Sequence, residues 1–161
     1  MRFRGLAETI AHQAASERQF VAFLRRDLSD ERDYLVEKKI RGIVLEGWAL
    51  GHVPTMAKHS WIPTIQNAVE SGVTIVVATQ CLNGIVHPSV YASSRKLAAT
   101  GVIHLDDMLP ETAFVKLGWV LGHEKNADTV KERMLENVAH EFNERHQQDD
   151  FPGFDGNTVA D

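Results

Sequence analysis

Two short apolar runs bounded by turn residues constrain the fold of this chain more than any other feature. Gly42–Gly47 is one run, and residues 73–78 are the other. Consecutive apolar residues, without alternation, indicate strands that are buried on both faces. Residues 60–70 between them predict a helix, because a serine stands at the start, a proline lies in the first turn and Gly72 follows the end. Strand, helix and strand in this order predict a parallel pair.

The same alternation continues along the chain. Residues 88–100 predict a helix ended by Gly101, residues 102–105 predict a third short strand, and residues 110–121 predict a helix ended by Gly122. Before this region, the apolar spacing of residues 6–26 predicts an amphipathic helix, and Ser29 is placed to cap a second helix. After it, an apolar stripe from Val130 to Phe142 predicts one more helix.

These elements predict an α/β fold, a three-layer Rossmann-like parallel sheet flanked by helices, with an added N-terminal helical segment and a C-terminal helix. We assign residues 1–33 to the N-terminal helical segment, residues 34–123 to the α/β domain and residues 124–146 to the C-terminal helix. Residues 147–161 are polar, acidic and rich in glycine, and we expect a disordered tail there.

Composition restricts the possible classes of function. A chain of 161 residues that is 43% hydrophobic can bury one core. Its net charge of -5 provides no general basic surface, so direct contact with nucleic acid is not expected. The single cysteine excludes an internal disulfide and fits a reducing compartment. The sequence has no membrane-spanning run and its start is too polar for a signal peptide, which predicts a soluble cytoplasmic protein.

Two loops follow the predicted strands, and ligands of open parallel sheets bind beyond the carboxyl ends of the strands. The loops are residues 47–52 and 79–84. The second carries Thr79, Gln80, Cys81 and Asn83, which suit recognition of a small polar molecule or of a partner's active site. In the alternative interpretation, which the pattern alone favours, Thr79 and Asn83 turn the chain and Cys81 is a small buried side chain.

A catalytic role for the cysteine is a more specific hypothesis, and the sequence supports it less well than a structural role. Cys81 would need a base, but no catalytic signature surrounds it. Four histidines lie in or near the loops, at spacings that predict no metal site; they are His52, His59, His87 and His104. The phosphate-binding patterns GxGxxG and GxxxxGK[ST] do not occur, so no cofactor is expected.

Charged residues near the predicted helix at 110–121 have simple structural interpretations. Asp106, Asp107 and Glu111 stand before and within its first turn, where the helix dipole favours carboxylates, and we predict an N-terminal capping role. Lys116 is predicted to be a solvated helix residue or a surface pairing partner.

A series of motifs from Tyr34 to Gly122 carries a family resemblance. They are DYLVEKKIRGIVLEG, ALGHVP, WIPTIQNAVESGV, VVATQCLNGIVHPSVY and GVIHLDDMLPETAFVKLGWVLG. Their order and spacing resemble the C-terminal domain of the L-asparaginase family. The resemblance is greatest to the branch that forms the D subunit of the archaeal glutamyl-tRNA(Gln) amidotransferase.

The resemblance implies a function for the two-domain protein that is typical of the family. In that family a larger N-terminal domain supplies nucleophilic threonines that attack the amide of asparagine or glutamine and release ammonia. In the amidotransferase, the ammonia serves the conversion of Glu-tRNA(Gln) to Gln-tRNA(Gln). The C-terminal domain forms a dimer and supports the site. The implied partners are an asparaginase-like N-terminal catalytic half, a tRNA-binding amidotransferase subunit and a second copy, with Thr79, Gln80, Cys81 and Asn83 as supporting residues.

Departures from the family pattern limit what this chain can do by itself. The sequence has no TGGT-like or TDT-like threonine motif, so we expect no catalytic residue in it and no activity of the isolated chain. Residues 1–33 lack the strand and turn that open the family's domain, and Ser94 stands where the family has glycine. The chain is then a truncated or separately encoded half, or another N-terminal segment completes the sheet edge. The alternative function is a stand-alone, non-catalytic small-molecule-binding or regulatory module.

Overall fold

A four-stranded parallel sheet forms the centre of the protein. The computed structural model describes residues 40–56 and 59–143, together with the backbone of residues 21–24. In spatial order the strands are β1 (Val21–Leu24), β2 (Gly42–Gly47), β3 (Thr74–Thr79) and β4 (Ile103–His104). All three pairings are parallel. Gly47 at the end of β2 lies opposite Thr79 at the end of β3, so the loops after these strands start side by side.

In the described part of the chain, four helices cover the sheet in two layers. They are α1 (Ile62–Glu70), α2 (Ala92–Ala98), α3 (Pro110–His123) and α4 (Ala127–Leu135). One hydrophobic cluster joins Val44 and Val76 to residues of α3 and α4, and a second joins Leu45 and Val77 to residues of α1 and α2. Because successive strand residues point to opposite faces, an unbroken apolar run fills both clusters. The predicted three-layer α/β fold is therefore confirmed.

The sequence signals at the ends of elements agree with the structure in part. Gly122 was predicted to end α3 but lies inside it, and α2 begins at Ala92 rather than at the predicted residue 88. β2 has the predicted bounds and is buried throughout. Gly72 and Gly101 follow α1 and α2 with φ of 86° and 89°, a left-handed conformation that glycine adopts without strain. α1 begins one residue later than a serine cap would place it, since Trp61 is the N-cap and the Ser60 hydroxyl accepts a 3.4 Å hydrogen bond from the Ile62 N–H.

The predicted helix over residues 6–26 is wrong at its end, because Val21–Leu24 forms strand β1. Four apolar residues suit either element, and periodicity cannot separate them over so short a length. β1 pairs with β2 from Val21 opposite Gly42 to Leu24 opposite Leu45. The expectation that residues 1–33 contain no strand to open the domain is therefore wrong, since β1 precedes β2 and pairs with it. The rest of the N-terminal helical segment predicted at residues 1–33 lies outside the described residues.

The predicted C-terminal helix over residues 124–146 is also wrong in extent, because α4 ends at Leu135. Val130 and Met134 are buried as the apolar stripe predicts, but Leu135 and Val138 are exposed. Contacts with α3 keep the residues after Leu135 in a non-helical conformation. The tail predicted at residues 147–161 lies outside the described residues.

Those contacts centre on Lys116, which the sequence predicted to be solvated or to pair at the surface. Its ammonium group donates to the Glu136 carbonyl and to the Glu141 carboxylate, at 2.5 Å in each case. The Lys116 and Glu141 side chains are only 9% and 6% exposed. Lys116 is therefore a buried anchor for the segment after α4. None of the helices in the described part of the chain is long and apolar enough to cross a membrane.

Candidate functional site

The two loops predicted to carry a site meet at the carboxyl edge of the sheet. The Gln80 N–H donates to the Gly47 carbonyl at 3.2 Å, and the His87 N–H donates to the Leu50 carbonyl at 3.1 Å. The register of β2 and β3 explains this meeting, because Gly47 and Thr79 end neighbouring strands at the same level. Residues 47–52 and 79–87 therefore form one connected edge.

Thr79 is the buried side chain that links the two loops. It is 3% exposed, and its hydroxyl donates to the Ala49 carbonyl at 2.5 Å. The same oxygen accepts a hydrogen bond from the Cys81 N–H at 3.1 Å, which closes a short turn. The turn continues with a hydrogen bond from the Gly84 N–H to the Cys81 carbonyl at 3.2 Å. The turn-forming role predicted for Thr79 is confirmed.

Glycine is required where the first loop packs against its surroundings. A Cβ on Gly47 would lie 2.6 Å from the backbone of Gly51, and a Cβ on Gly51 would lie 2.5 Å from Cγ1 of Val86. Gly51 also has φ of 88°, which side-chain-bearing residues rarely adopt. The loop is therefore packed too closely for a larger residue at either position.

A surface cavity of about 250 Å³ opens beside this edge. It is lined by Glu46, Thr79, Gln80, Cys81, Leu82, Leu109, Pro110 and Glu111. Thr79, Gln80 and Cys81 from the predicted set thus share one cavity, while Asn83 is exposed outside its lining. The cavity combines two carboxylates, a hydroxyl, an amide and a thiol with an apolar wall, a mixture that suits a small polar group or a partner's side chain.

Glu46 is the cavity residue that the sequence did not single out. It belongs to the buried strand β2 and is 4% exposed. Its signal in the sequence is a carboxylate at the second-to-last position of an otherwise apolar run. Because buried carboxylates are costly without polar partners, this pattern could have marked Glu46 as a candidate site residue.

Cys81 is exposed and free, which makes the prediction of a small buried side chain wrong. The loop turns the thiol outward because Thr79 occupies the buried position at the strand end. The described residues that line the cavity include no histidine. Among the described residues, no group of His, Cys, Asp or Glu is arranged to hold a metal ion. Within the part of the chain that the structure describes, the cavity therefore presents an accessible thiol without an imidazole in its lining.

The histidines near the loops have separate surroundings. The His52 ring packs edge-on against Tyr91 at 4.7 Å between centroids, and His87 Nδ1 accepts from the Ser89 N–H at 3.4 Å. His104 lies on β4, and burial lowers the pKa of its imidazole. His59 is exposed. These positions do not form a cluster with Cys81.

The capping role predicted for Asp106 and Asp107 is wrong. The N-cap of α3 is Leu109, without a side-chain capping hydrogen bond. Asp107 instead accepts two hydrogen bonds from Asn143, from the backbone N–H at 3.0 Å and from the amide group at 2.7 Å. Glu111 does lie in the first turn of α3, where the dipole favours a carboxylate. Long-range contacts, rather than helix capping, determine the place of Asp107.

Comparison with known proteins identifies similar chains of two kinds. The D subunit of glutamyl-tRNA(Gln) amidotransferase from Pyrococcus abyssi is 50% identical over 110 residues, which cover 68% of this chain and 24% of that protein. The corresponding protein from Methanothermobacter thermautotrophicus is 42% identical over 147 residues, or 89% of this chain and 32% of that protein. The chain thus spans about a quarter to a third of the length of these relatives.

A solved structure gives the same result at lower identity. The thermostable L-asparaginase from Thermococcus kodakarensis superposes with a TM-score of 0.68 at 29% identity, covering 78% of this chain and 38% of that chain. The glutaminase/asparaginase C-terminal domain matches residues 26–134. This match covers more than half of the sequence and confirms the resemblance. The chain belongs to the family of glutaminase/asparaginase C-terminal domains.

Proposed function

We propose that this chain is the C-terminal domain of an asparaginase-like amidohydrolase that hydrolyses the amide of glutamine. In this role it supports a supply of ammonia for conversion of Glu-tRNA(Gln) to Gln-tRNA(Gln) in the cytoplasm. The 50% identity with the D subunit of an amidotransferase supports this reaction over asparagine hydrolysis. One observation supports this role above the others. Thr79 joins the two loops at the edge of the sheet by a hydrogen bond to Ala49, and exposed polar residues lie beside a cavity there.

The arrangement of the described residues favours support, rather than bond cleavage, as the role of this domain. Amide hydrolysis by covalent catalysis needs a nucleophile with an adjacent base. Cys81 is exposed, but none of the described residues that line its cavity is a histidine. The domain instead contributes the polar groups of Gln80 and Asn83 on a turn that Thr79 holds in place. These groups can orient a substrate or a loop of another domain, while the nucleophile lies on that other domain.

The proposal includes three partners. An asparaginase-like N-terminal half supplies the nucleophile, a tRNA-binding amidotransferase subunit consumes the ammonia, and a second copy of the domain forms a homodimer. The exposed apolar side chains of Leu82 and Leu109, which flank the polar cavity, support a partner contact at this edge.

An ammonia-release assay with glutamine and asparagine tests the proposal. The full chain is assayed alone and mixed with the part of the Pyrococcus abyssi relative that precedes the segment matching this chain. We expect no turnover by the chain alone and glutaminase activity in the mixture. Gln80→Ala should lower that activity, whereas Gln66→Ala, which changes an exposed glutamine on α1, should not.

Two results would contradict the proposal. Turnover by the chain alone that Cys81→Ser abolishes would make this a cysteine enzyme. Failure of the chain to associate with the N-terminal part in size-exclusion chromatography, together with retention of an amino acid by the isolated chain in native mass spectrometry, would favour the stand-alone binding module. The cavity of about 250 Å³ is the observation that supports this second candidate.

A further inference from the structure

The outer face of α3 carries two large apolar side chains. Val115 is 70% exposed and Trp119 is 53% exposed, while the opposite face of the same helix packs on the sheet. Among the described residues, a Cβ on Gly118 would have no contact within 4 Å beyond its own stretch of helix, so the surface beside Trp119 is open. Single exposed apolar residues are common, but two neighbours on one helix face form a patch that suits a partner.

These two side chains belong to a row of four residues spaced four apart. The row is Glu111, Val115, Trp119 and His123, and each member is exposed. It extends for about 18 Å along the helix. Residues four apart form a ridge, and the interdigitation of such ridges is the commonest way in which two helices pack. We call this row the α3 ridge.

The two ends of the α3 ridge carry groups of complementary charge. Glu111 supplies a carboxylate in the first turn of α3, and His123 is the basic residue of the last turn. The His123 Nδ1 donates to the Trp119 carbonyl at 2.7 Å, since a carbonyl can only accept, and the two rings lie 4.8 Å apart between centroids. Nε2 of His123 is then the nitrogen left for a partner, and a protonated ring donates from it to a carboxylate.

The spacing of the α3 ridge makes it complementary to itself. Leu117 lies halfway between Val115 and Trp119, and it also lies halfway along the sequence from Glu111 to His123. A twofold axis at the height of Leu117 relates two antiparallel helices and sets Val115 opposite Trp119 of a second copy. The same axis sets Glu111 opposite His123 of the second copy. Helix ends of opposite partial charge also meet in this arrangement, which is favourable.

We infer that α3 packs antiparallel against α3 of a second copy along the α3 ridge. This inference rests on the proposed function, which includes a homodimer, and it adds the surface that forms the dimer. The apolar contact of Val115 with Trp119 lies at the centre of the interface, and the pairs of Glu111 with His123 fix its register at both ends. A copy shifted by one helical turn would set Glu111 against Trp119 and lose both charge pairs.

The inferred dimer reaches the candidate site of each copy. Glu111 lines the cavity of about 250 Å³, next to Leu109 and Pro110. His123 of the second copy, opposite Glu111, therefore lies at the edge of this cavity, whose described lining includes no histidine. Each copy thus brings an imidazole to the edge of the other copy's site.

Sedimentation velocity of the full chain over a range of concentrations tests the surface. We expect a reversible dimer with a dissociation constant on the order of 10 µM, because one helix face is smaller than the ~800 Å² per partner of a standard interface. Trp119→Ala should raise this constant at least about tenfold, because it removes the central aromatic side chain. The matched control is Trp48→Ala, which should leave the constant unchanged, because Trp48 is 48% exposed but lies on a loop rather than on α3.

An exchange of charges tests the register. Glu111→Lys sets a lysine against His123 of the second copy, and His123→Glu sets two carboxylates against each other, so each variant alone should dimerise more weakly than the wild type. An equimolar mixture of the two variants should recover dimers that contain one chain of each kind. One end of such a dimer pairs a lysine with a glutamate, while the other end keeps Glu111 opposite His123.

Three outcomes would overturn the inference. They are a wild-type chain that stays monomeric at about a hundred times the expected constant, a dimer that Trp119→Ala leaves unchanged, and a mixture of the charge variants that recovers no dimer. The wild-type and mixing measurements decide the matter even if Trp119→Ala does not fold.

The ammonia-release assay separates failure of this inference from failure of the proposed function. A monomeric chain that still restores glutaminase activity with the N-terminal part would refute only the α3 interface. A dimer that restores no activity would refute only the proposed function. Loss of association with the N-terminal part in Trp119→Ala, without any change in the dimer, would assign the α3 ridge to that part and overturn the inference.

Discussion

Replacement of Lys116 by methionine should destabilise the protein far more than replacement of an exposed ion-pair residue would. The Lys116 ammonium lies 2.5 Å from the Glu141 carboxylate and 5.4 Å from the centre of the Phe142 ring. Methionine keeps most of the length of the side chain while removing the charge and the donors. The substitution therefore leaves the Glu141 carboxylate without its lysine and the Glu136 carbonyl without a donor.

The magnitude follows from the pKa of Glu141. Burial raises this pKa, but the hydrogen bond from Lys116 and those from backbone N–H groups, including that of Ala139, outweigh burial and hold it at about 2. A fall from 4.5 to about 2 corresponds to at most about 3 kcal/mol of stability. The N–H groups of Val138 and Ala139 still donate to Glu141 in the variant, so only part of this stability is lost. We therefore expect Lys116→Met to cost about 2 kcal/mol at neutral pH.

The pH dependence of this cost has a defined sign. The pKa of Glu141 is depressed in the folded state, so its contribution is complete above pH 4.5 and is lost as the pH falls toward about 2. Without Lys116, fewer hydrogen bonds lower the pKa of Glu141, while burial still raises it. The pKa in Lys116→Met should therefore lie well above 2, and the difference in stability between wild type and variant should shrink with acid.

Urea unfolding followed by tryptophan fluorescence measures this cost, with Glu141→Gln and the double variant completing a cycle. The matched control is Arg133→Met, because Arg133 pairs with Glu136 at 2.8 Å while their side chains are 48% and 51% exposed. The control should have no measurable effect. If Lys116→Met costs no more than Arg133→Met, or if the double-mutant cycle shows no coupling with Glu141, then burial does not strengthen this pair and the reasoning is refuted.

Three further substitutions test the packing of the site and of the core. Thr79→Val removes the donor to the Ala49 carbonyl and should cost about 1–3 kcal/mol in urea unfolding, and an unchanged midpoint would contradict its linking role. Gly51→Ala should lower the melting temperature more than Gly72→Ala, since both have positive φ but only the first places a Cβ against a side chain; equal effects would refute the clash. Leu117→Ala should cost about 2–5 kcal/mol, because its side chain is fully buried, and a smaller loss would contradict tight packing there.

The main layers of the fold were predictable because their signals are local. An unbroken apolar run such as Gly42–Gly47 has no polar face, so the strand must be covered on both sides wherever it lies. The glycines at 72 and 101 end helices through a backbone conformation that few other residues adopt. These signals depend on neighbours in sequence, and the structure reproduces them at Gly42–Gly47, Gly72 and Gly101.

The parts that the sequence did not predict depend on distant partners. Val21–Leu24 becomes a strand through pairing with β2, which lies about 20 residues away, and its own apolar pattern suits a helix as well. The chain after Leu135 has helical spacing, but the Asn143 side chain and N–H bind Asp107, and Glu141 binds Lys116. Such contacts require a folded α3, so no local pattern encodes them.

The candidate site shows the same division between local and distant information. The topology of parallel strands placed the loops at 47–52 and 79–84 at one edge, and the hydroxyl of Thr79 closes a turn that its residue type predicts. Cys81 and Glu46 line one cavity only because the start of α3 lies beside both of them. This arrangement could not be derived from spacing within the loops.

Glu46 gives a physical reason to look for function at this edge rather than elsewhere on the sheet. Val44, two residues earlier on the same strand face, belongs to the hydrophobic cluster under α3, so an apolar residue at position 46 would extend that cluster. Position 46 instead carries a carboxylate that is 4% exposed and lines the cavity beside the start of α3, where the helix dipole favours a negative charge. Packing alone therefore does not account for this residue. We expect Glu46→Gln, which keeps the shape of the side chain, to leave the melting temperature at neutral pH nearly unchanged while lowering the glutaminase activity reconstituted with the N-terminal part. A loss of stability with intact activity would assign Glu46 to the scaffold instead.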